Sequence, residues 1–454
     1  MTGAEPRSMD VDSFVDGLKL SSFHYVIMAI CVLLTAIDGY ELYVVGWVLP
    51  LLAKDFGVPN TAITSAMMAQ QVGMLIGAFL IPPFADRYGR PRVLLICYTG
   101  MMLSALGILT SHSLTTFTAW RFVAGLCGTA MIPILVTLAS ENAPKRLRGT
   151  MSAIAVSGTM LGSLFGAIMQ GTVLEPFGWR GAFWIAAILP AVMLPLVWFF
   201  LPDSLRALVA RNPQDPAIPA LVRRLQPADA APVTIVAAPK SERSVTRALL
   251  SEILGPEMRT KTLLMWCIAI SSFVFITASV WKTTIFKDVL GLSLPMIAAV
   301  NATNTLAGAV GMLSIGFFID RFGFKPVMVG TFLLAATGCI LTGITAPGPL
   351  MFLAVAMVGM FQHGGQASVA ALAAALYPPS HRATGVGWAY GAGRVASIFA
   401  PLFGTFVLAE GSGFGPVGIF ALMAIPLASA GIFTFWLMSL SGAPVIRRAQ
   451  LAHG

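Results

Sequence analysis

Charged and strongly polar side chains inside long apolar runs are the residues of this sequence with chemistry to offer. Asp38 and Glu41 interrupt the apolar run 23–52, Arg121 the run 114–141 and Lys282 the run 261–286. Gln362, His363 and Gln366 interrupt the run 348–376, and Arg394 the run 384–409. A charge held in hydrocarbon is costly and is kept where it faces a cavity or a partner. Asp38 stands about 15 residues into its run, or ~22 Å at ~1.5 Å per residue, with Glu41 one turn further on the same face. Arg121 stands about seven residues into a run of opposite direction, ~10 Å from the same side. These depths permit a carboxylate–arginine contact between the first and fourth runs. Desolvation favours the neutral acid and the arginine favours the anion, so a change in their balance changes proton affinity. Proton coupling is therefore assigned to Asp38, helped by Glu41, with Arg121 holding the charged form; the competing reading is a static pair that fixes helix packing. Arg394 has the planar fork that grips a carboxylate with two parallel hydrogen bonds, and the alternative for it is an interhelical clamp. His363, with Gln366 beside it, is either a ligand or relay or a satisfied packing group. Lys282 either attracts an anionic substrate or snorkels to the interface.

The elements that must position these groups follow from composition. The chain has 454 residues, 57% of them hydrophobic and 10% charged, with a mean hydropathy of +0.83. A soluble protein of this size carries roughly 25% charged residues. Twelve apolar blocks lie between residues 23 and 440, many beyond the ~18 residues that signal a spanning helix. The expected fold is an all-α membrane protein with twelve transmembrane helices in two six-helix bundles. Its parts are a tail over 1–22, bundles over 23–202 and 261–440, a polar linker over 203–260 and a tail over 441–454. The formal charge of +9 does not indicate nucleic acid, because 22 of the 28 Lys and Arg residues fall in the tails and in the loops on one side of the spans. That bias is the positive-inside signal and places both termini in the cytoplasm of a bacterial inner-membrane protein. Residues 1–20 are polar and acidic, with no cleavable signal peptide. The five cysteines sit inside apolar segments without metal-ligand spacing, as packing residues. No nucleophile elbow, HExxH or Walker loop is present, so neither an enzyme nor an ATP-driven pump is expected, and a proton gradient stands in place of a cofactor.

The two halves repeat. Asp86-Arg87-Tyr88-Gly89 returns as Asp320-Arg321-Phe322-Gly323, and Pro144 with Arg148 returns as Pro378 with Arg382. Gly77 with Gly311 and Gly125 with Gly359 share the same offset of 234 residues. A duplicated six-span unit is the architecture of a rocking transporter with its site between the halves near the midplane. Asp86, Arg87, Arg90, Glu141, Arg148, Asp320, Arg321 and Arg382 fall at cytoplasmic helix ends. Ion pairs there would latch the halves when the outer side is open, or the charges set topology alone. Gly158, Gly162 and Gly166 follow the small-xxx-small rhythm of close helix packing.

The loop GAFLIPPFADRYGRPR (77–92), its weaker copy GFFIDRFGFK (316–325) and Arg121-Phe122-Val123-Ala124-Gly125 resemble signatures of the major facilitator superfamily over essentially the whole chain. Asp38-Gly39-Tyr40-Glu41, SENAPKRLRG (140–149) and YPPSHRATGVGWAYGAGRVASIFAPLFG (377–404) are similar to the aromatic acid:proton symporter family. Three residues depart from these patterns: Glu41 where a second Asp is usual, Pro82 where the loop signature has Gly, and Lys282 where an apolar residue is usual. The resemblance implies the major facilitator fold and import of a small aromatic acid, such as benzoate or a hydroxybenzoate, with protons. It also implies Arg394 as the carboxylate partner and Tyr40, Tyr43 and Phe361 as rings that stack on the cargo. Action as a monomer is expected. The rival readings are a proton-driven exporter, against which the proline-free Gly158–Gly166 stretch argues, and a membrane sensor that does not transport.

Overall fold

In hydrocarbon no water pairs the backbone N–H and C=O groups, so a long apolar run satisfies them internally as a helix. The computed structural model bears this out over the residues it describes: 7–18, 20–128, 131–225, 233–236, 253–377, 382–409 and 413–440. The side chains of Asp86 and Arg382, the linker stretches 226–232 and 237–252, and the tail 441–454 lie outside that description. After a strand β1 (Arg7–Asp10) and a short helix α1 (Val11–Asp16) come α2 (Ser22–Phe56), α3 (Thr64–Tyr88) and α4 (Arg90–Leu109). The fourth span is the pair α5 (Leu114–Gly128) and α6 (Met131–Glu141), and α7 (Arg148–Phe200) holds the fifth and sixth. The linker forms α8 (Leu205–Arg211), α9 (Ala217–Leu225) and β2 (Val233–Val236). The second repeat is α10 (Arg259–Ala278, continued through a 3₁₀, an α and a π turn to Val289), α11 (Leu294–Phe322), α12 (Phe324–Thr345) and α13 (Leu350–Leu376). The pair α14 (Arg382–Phe399) and α15 (Leu402–Val407) and then α16 (Pro416–Leu440) complete it.

Among the described residues nine helices are long and apolar enough to cross a membrane. One of them, α7, bends at Gly178 (φ 61°), in the left-handed region that favours glycine, and so supplies two spans. The others needed for twelve are α13, diluted by Gln362, His363 and Gln366, and the α14–α15 pair, which carries Arg394 and breaks before Leu402.

The contacts group the chain into two units that do not coincide with the repeat. The first unit holds residues 1–42, 72–163 and 183–244; the second holds 43–71, 164–182 and 245–454. In the first, Leu34, Leu94, Tyr98, Met131, Leu135 and Ala155 are at the heart of the apolar core. Here Gly158 and Gly162 let α7 close on α2: a Cβ on Gly162 would stand 1.7 Å from the Ala36 carbonyl oxygen. The small-residue rhythm is a packing device, as its spacing indicated.

The first unit also contains a second, smaller core. Val11, Phe14, Val15 and Leu18 pack on Leu205, Leu208, Val209, Ile218, Leu221, Val222 and Leu225, and β1 pairs in parallel with β2, Arg7 opposite Val233 and Asp10 opposite Val236. The linker was expected to be a polar loop. Its apolar residues at 218, 221, 222 and 225 recur at helical spacing, and they fold as soon as α1 offers a surface to cover them.

In the second unit the parts of α2, α3 and α7 that belong to it attach to the second repeat. A Cβ on Gly46 would stand 2.6 Å from the Val280 carbonyl oxygen. Asn60 Nδ2 donates to Asp288 Oδ2 (2.6 Å), Gln71 Nε2 to Thr277 Oγ1 (3.0 Å) and Asn301 Nδ2 to Gln170 Oε1 (3.0 Å).

The repeat is equally visible as local geometry. Gly89 (φ 98°) and Gly323 (φ 86°) both take left-handed backbone between paired helices. A Cβ on Gly77 would meet Leu126 O at 2.1 Å, and one on Gly311 would meet Met360 O at 1.8 Å, at matching positions of the two repeats.

Candidate functional site

Within the first unit, α2 and α5 bring the expected acid and base together. Arg121 Nη1 donates to Glu41 Oε1 at 2.5 Å and Nη2 to the Glu41 carbonyl at 3.4 Å. Arg121 is fully buried, with Glu41 at 8% and Asp38 at 6% exposure. The guanidinium carbon lies 5.9 Å from the centre of the Phe183 ring, and no partner reaches Arg121 Nε among the described residues. Close geometry offsets part of the desolvation of an ion pair so enclosed, and removing one partner leaves the other charge stranded. The contact between first and fourth spans was legible; its carboxylate is Glu41. Asp38, one turn earlier, sits beside Gly128 at the end of α5, where an added Cβ would approach Asp38 Oδ1 to 3.4 Å. Tyr98 Oη donates to the Leu34 carbonyl (2.9 Å), one turn before Asp38, and ties α4 to the same stretch of α2. Tyr40 is 1% exposed and belongs to the packed interior, so its ring offers no free face here.

In the second unit the half-buried Tyr43 stacks on Trp47 at 6.3 Å between ring centres. Lys282 Nζ donates to Asn304 Oδ1 at 3.1 Å, and Asn304 Nδ2 donates to the Val355 carbonyl at 3.1 Å. His363 Nδ1 lies 3.1 Å from the Gly359 carbonyl, Gln366 Oε1 accepts from Ser272 Oγ, and Gln362 is buried. The Arg394 guanidinium lies 5.9 Å from the ring centre of Phe273, which meets Tyr390 edge to face at 5.5 Å. A cation beside an aromatic ring is suited to an aromatic carboxylate, the ring taking the apolar body and the fork the acid. Phe273, Tyr390, Ser272 and Asn304 were not singled out in the sequence. Neutral polar and aromatic residues are common in spans, and the faces they share become visible only when α10, α11, α13 and α14 are assembled.

The charged helix ends resolve into specific pairs within the first unit. Arg90 grips Glu141 with both terminal nitrogens, Nη2 to Oε1 at 2.6 Å, and Ser204 Oγ donates to the same carboxylate. Arg148 Nη2 bonds Asp16 Oδ1 (2.7 Å), while Arg206 reaches Asp12 (2.7 Å), Asp16 (3.0 Å) and the Glu141 carbonyl (2.6 Å). Asp12 and Asp16 belong to the tail and Arg206 to the linker, and the small core brings them together. Arg87 and Arg321 occupy equivalent exposed positions in the two repeats, their guanidinium carbons 5.3 Å and 5.6 Å from the neighbouring Tyr88 and Phe322 ring centres. Asp320 is exposed at the end of α11.

The family model of the Major Facilitator Superfamily matches residues 31–302 and 264–451. A gallate transporter of Pseudomonas putida is 30% identical over 93% of this chain and 94% of its own length. A 4-hydroxybenzoate transporter of Acinetobacter baylyi is 29% identical over 94% of each. A benzoate transport protein of the same species is 28% identical over 88% of this chain and 87% of its own length. In fold, the chain is similar to the crystal structure of a D-xylose-proton symporter, with a TM-score of 0.71 at 18% identity over 91% of this chain and 98% of the other. The loop and helix motifs, the duplicated six-span unit and these matches agree: the chain belongs to the major facilitator superfamily, and is a multi-pass membrane transporter and not an enzyme.

Proposed function

We propose that the chain is a secondary active importer that symports protons with a small aromatic carboxylate, such as benzoate or a hydroxybenzoate, by alternating access. It acts as a monomer in a bacterial inner membrane with both termini in the cytoplasm, driven by the proton gradient. The observation that carries proton coupling is the Glu41–Arg121 pair enclosed in a membrane span, with Asp38 one turn away. Protonation of a carboxyl there releases the arginine and changes the packing of α2 on α5, which links proton uptake to a change of shape. The substrate class is supported by the relatives named for gallate, 4-hydroxybenzoate and benzoate. Arg394 takes the carboxylate, with Tyr43, His363 and Gln366 as further contacts to the cargo. Asp86, Arg87, Arg90, Glu141 and Arg148 with Asp320, Arg321 and Arg382 form the cytoplasmic latch.

The test is uptake of labelled benzoate and hydroxybenzoates into proteoliposomes with an alkaline interior. Accumulation that collapses when a protonophore is added is the expected result. Equilibration without accumulation, indifferent to the pH gradient, would remove proton coupling, and absence of uptake for every aromatic acid would remove the substrate class.

A further inference from the structure

Lys282 is an ammonium in a membrane span, with no counter-ion among the described residues. Among the described residues its one hydrogen bond is to the neutral Asn304, and it takes part in no ion pair. It is half-buried, yet its neighbours Trp281, Thr283, Thr284, Ile285 and Phe286 are all buried, as are Ala278 and Ser279 one turn back. A side chain snorkelling along a lipid-facing stripe would have exposed neighbours on that stripe; Lys282 has none. Its accessible part therefore opens inward.

The surroundings are built to hold the ammonium in place. Asn304 is fixed by its bond to the Val355 carbonyl, which turns its amide oxygen toward Lys282. One turn further along α11, a Cβ on Gly308 would stand 2.9 Å from His363 Nδ1, so the imidazole packs against the same seam between α11 and α13. Because the Gly359 carbonyl only accepts, His363 Nδ1 carries the hydrogen, and the neutral ring offers Nε2 as an acceptor. A bare cation in a low-dielectric interior is expensive, and an arriving anion stabilises it far more than it would in water.

We propose that Lys282 receives a second acidic group of the cargo, so that the preferred substrate is a dianionic aromatic acid, an aromatic dicarboxylate above all. The proposal rests on the reading that aromatic acids are carried and that Arg394 takes the first carboxylate. Two carboxylates then meet two cations within the second unit, whereas a monoacid leaves Lys282 uncompensated.

The experiment compares the three benzenedicarboxylate isomers with benzoate in pH-driven proteoliposome uptake, for the wild type, Lys282→Gln and Asn304→Asp. Gln keeps a polar side chain that can bond Asn304; Asp at 304 gives the lysine an internal counter-ion and keeps the side chain's shape, while losing the donor to the Val355 carbonyl. In both variants the ratio of kcat/KM for the best dicarboxylate over benzoate is expected to fall by at least about tenfold. A ratio unchanged in both variants overturns the proposal. If Lys282→Gln does not fold, Asn304→Asp alone decides. Independently, the best dicarboxylate should raise the Tm of the purified wild type more than benzoate at equal concentration, and an equal or smaller rise overturns the proposal. Wild-type vesicles that accumulate benzoate but no dicarboxylate sink this inference alone; vesicles that accumulate no aromatic acid sink the proposed substrate class with it.

Discussion

Glu41 and Arg121 are enclosed so completely that each is the other's main means of offsetting burial. Breaking such a pair from one side costs about 3–5 kcal/mol in proteins generally, because the remaining charge keeps its desolvation penalty. Glu41→Ala is therefore expected to lower the thermal stability of the purified protein by that order, and Glu41→Gln, which still accepts from Arg121, by clearly less; a Gln variant as stable as the wild type would show that the pair adds nothing beyond packing. Asp38→Asn preserves shape and removes the proposed proton site. Its pH-driven accumulation should drop on the order of tenfold or more while substrate exchange across the vesicle continues, the signature of a carrier uncoupled from protons. The ionisable residues were legible because hydrocarbon makes them rare. Which carboxylate meets Arg121 was not, since Asp38 and Glu41 share a face one turn apart and depth counted along a helix does not separate them. Asn304, Gln71, Gln170 and Asn301, which tie spans together, carry no charge and so gave no signal.

Helices depend on how closely their backbones approach. At Gly162 an added Cβ would stand 1.7 Å from the Ala36 carbonyl oxygen, so Gly162→Val must push α7 off α2. Overpacking of this kind costs about 1–3 kcal/mol and often more when backbone is the obstacle. Nothing lies within 4 Å of a Cβ on Gly316, and Gly316→Ala should leave stability unchanged within about 0.5 kcal/mol. Thermal unfolding of the two variants side by side measures the contrast. The small-residue rhythm and the number of spans were readable because helix periodicity and hydrocarbon thickness are local constraints. The packed linker was not. The apolar faces of α8 and α9 are short, and α1, which covers them, lies some two hundred residues away in sequence.

On the scale of the molecule, alternating access requires the contacts that join α2, α3 and α7 to the second repeat inside the second unit to separate during each cycle. Asn60 and Asp288 are the most direct handle, 2.6 Å apart. Cysteines at both positions, in a background freed of the native five, joined by a short thiol-specific cross-linker, should reduce uptake at least about tenfold and release it on cleavage of the linker. Full transport after quantitative cross-linking would mean that these ends never part. At the opposite helix ends, charge reversal at Asp86 and Asp320 together should slow uptake more than either change alone if the duplicated loops latch the halves. The duplication itself was evident from one constant offset, whereas the division into contact units was hidden, because it depends on which conformation the chain adopts.

β1 lies at residues 7–10 and its partner β2 at 233–236. β1 therefore finds its partner only when the whole first repeat and much of the linker have been translated. A gene divided within 237–252 delivers both strands in one polypeptide, and co-expressed fragments cut there should reconstitute uptake. A gene divided within 212–216 parts the strands, and its fragments should not.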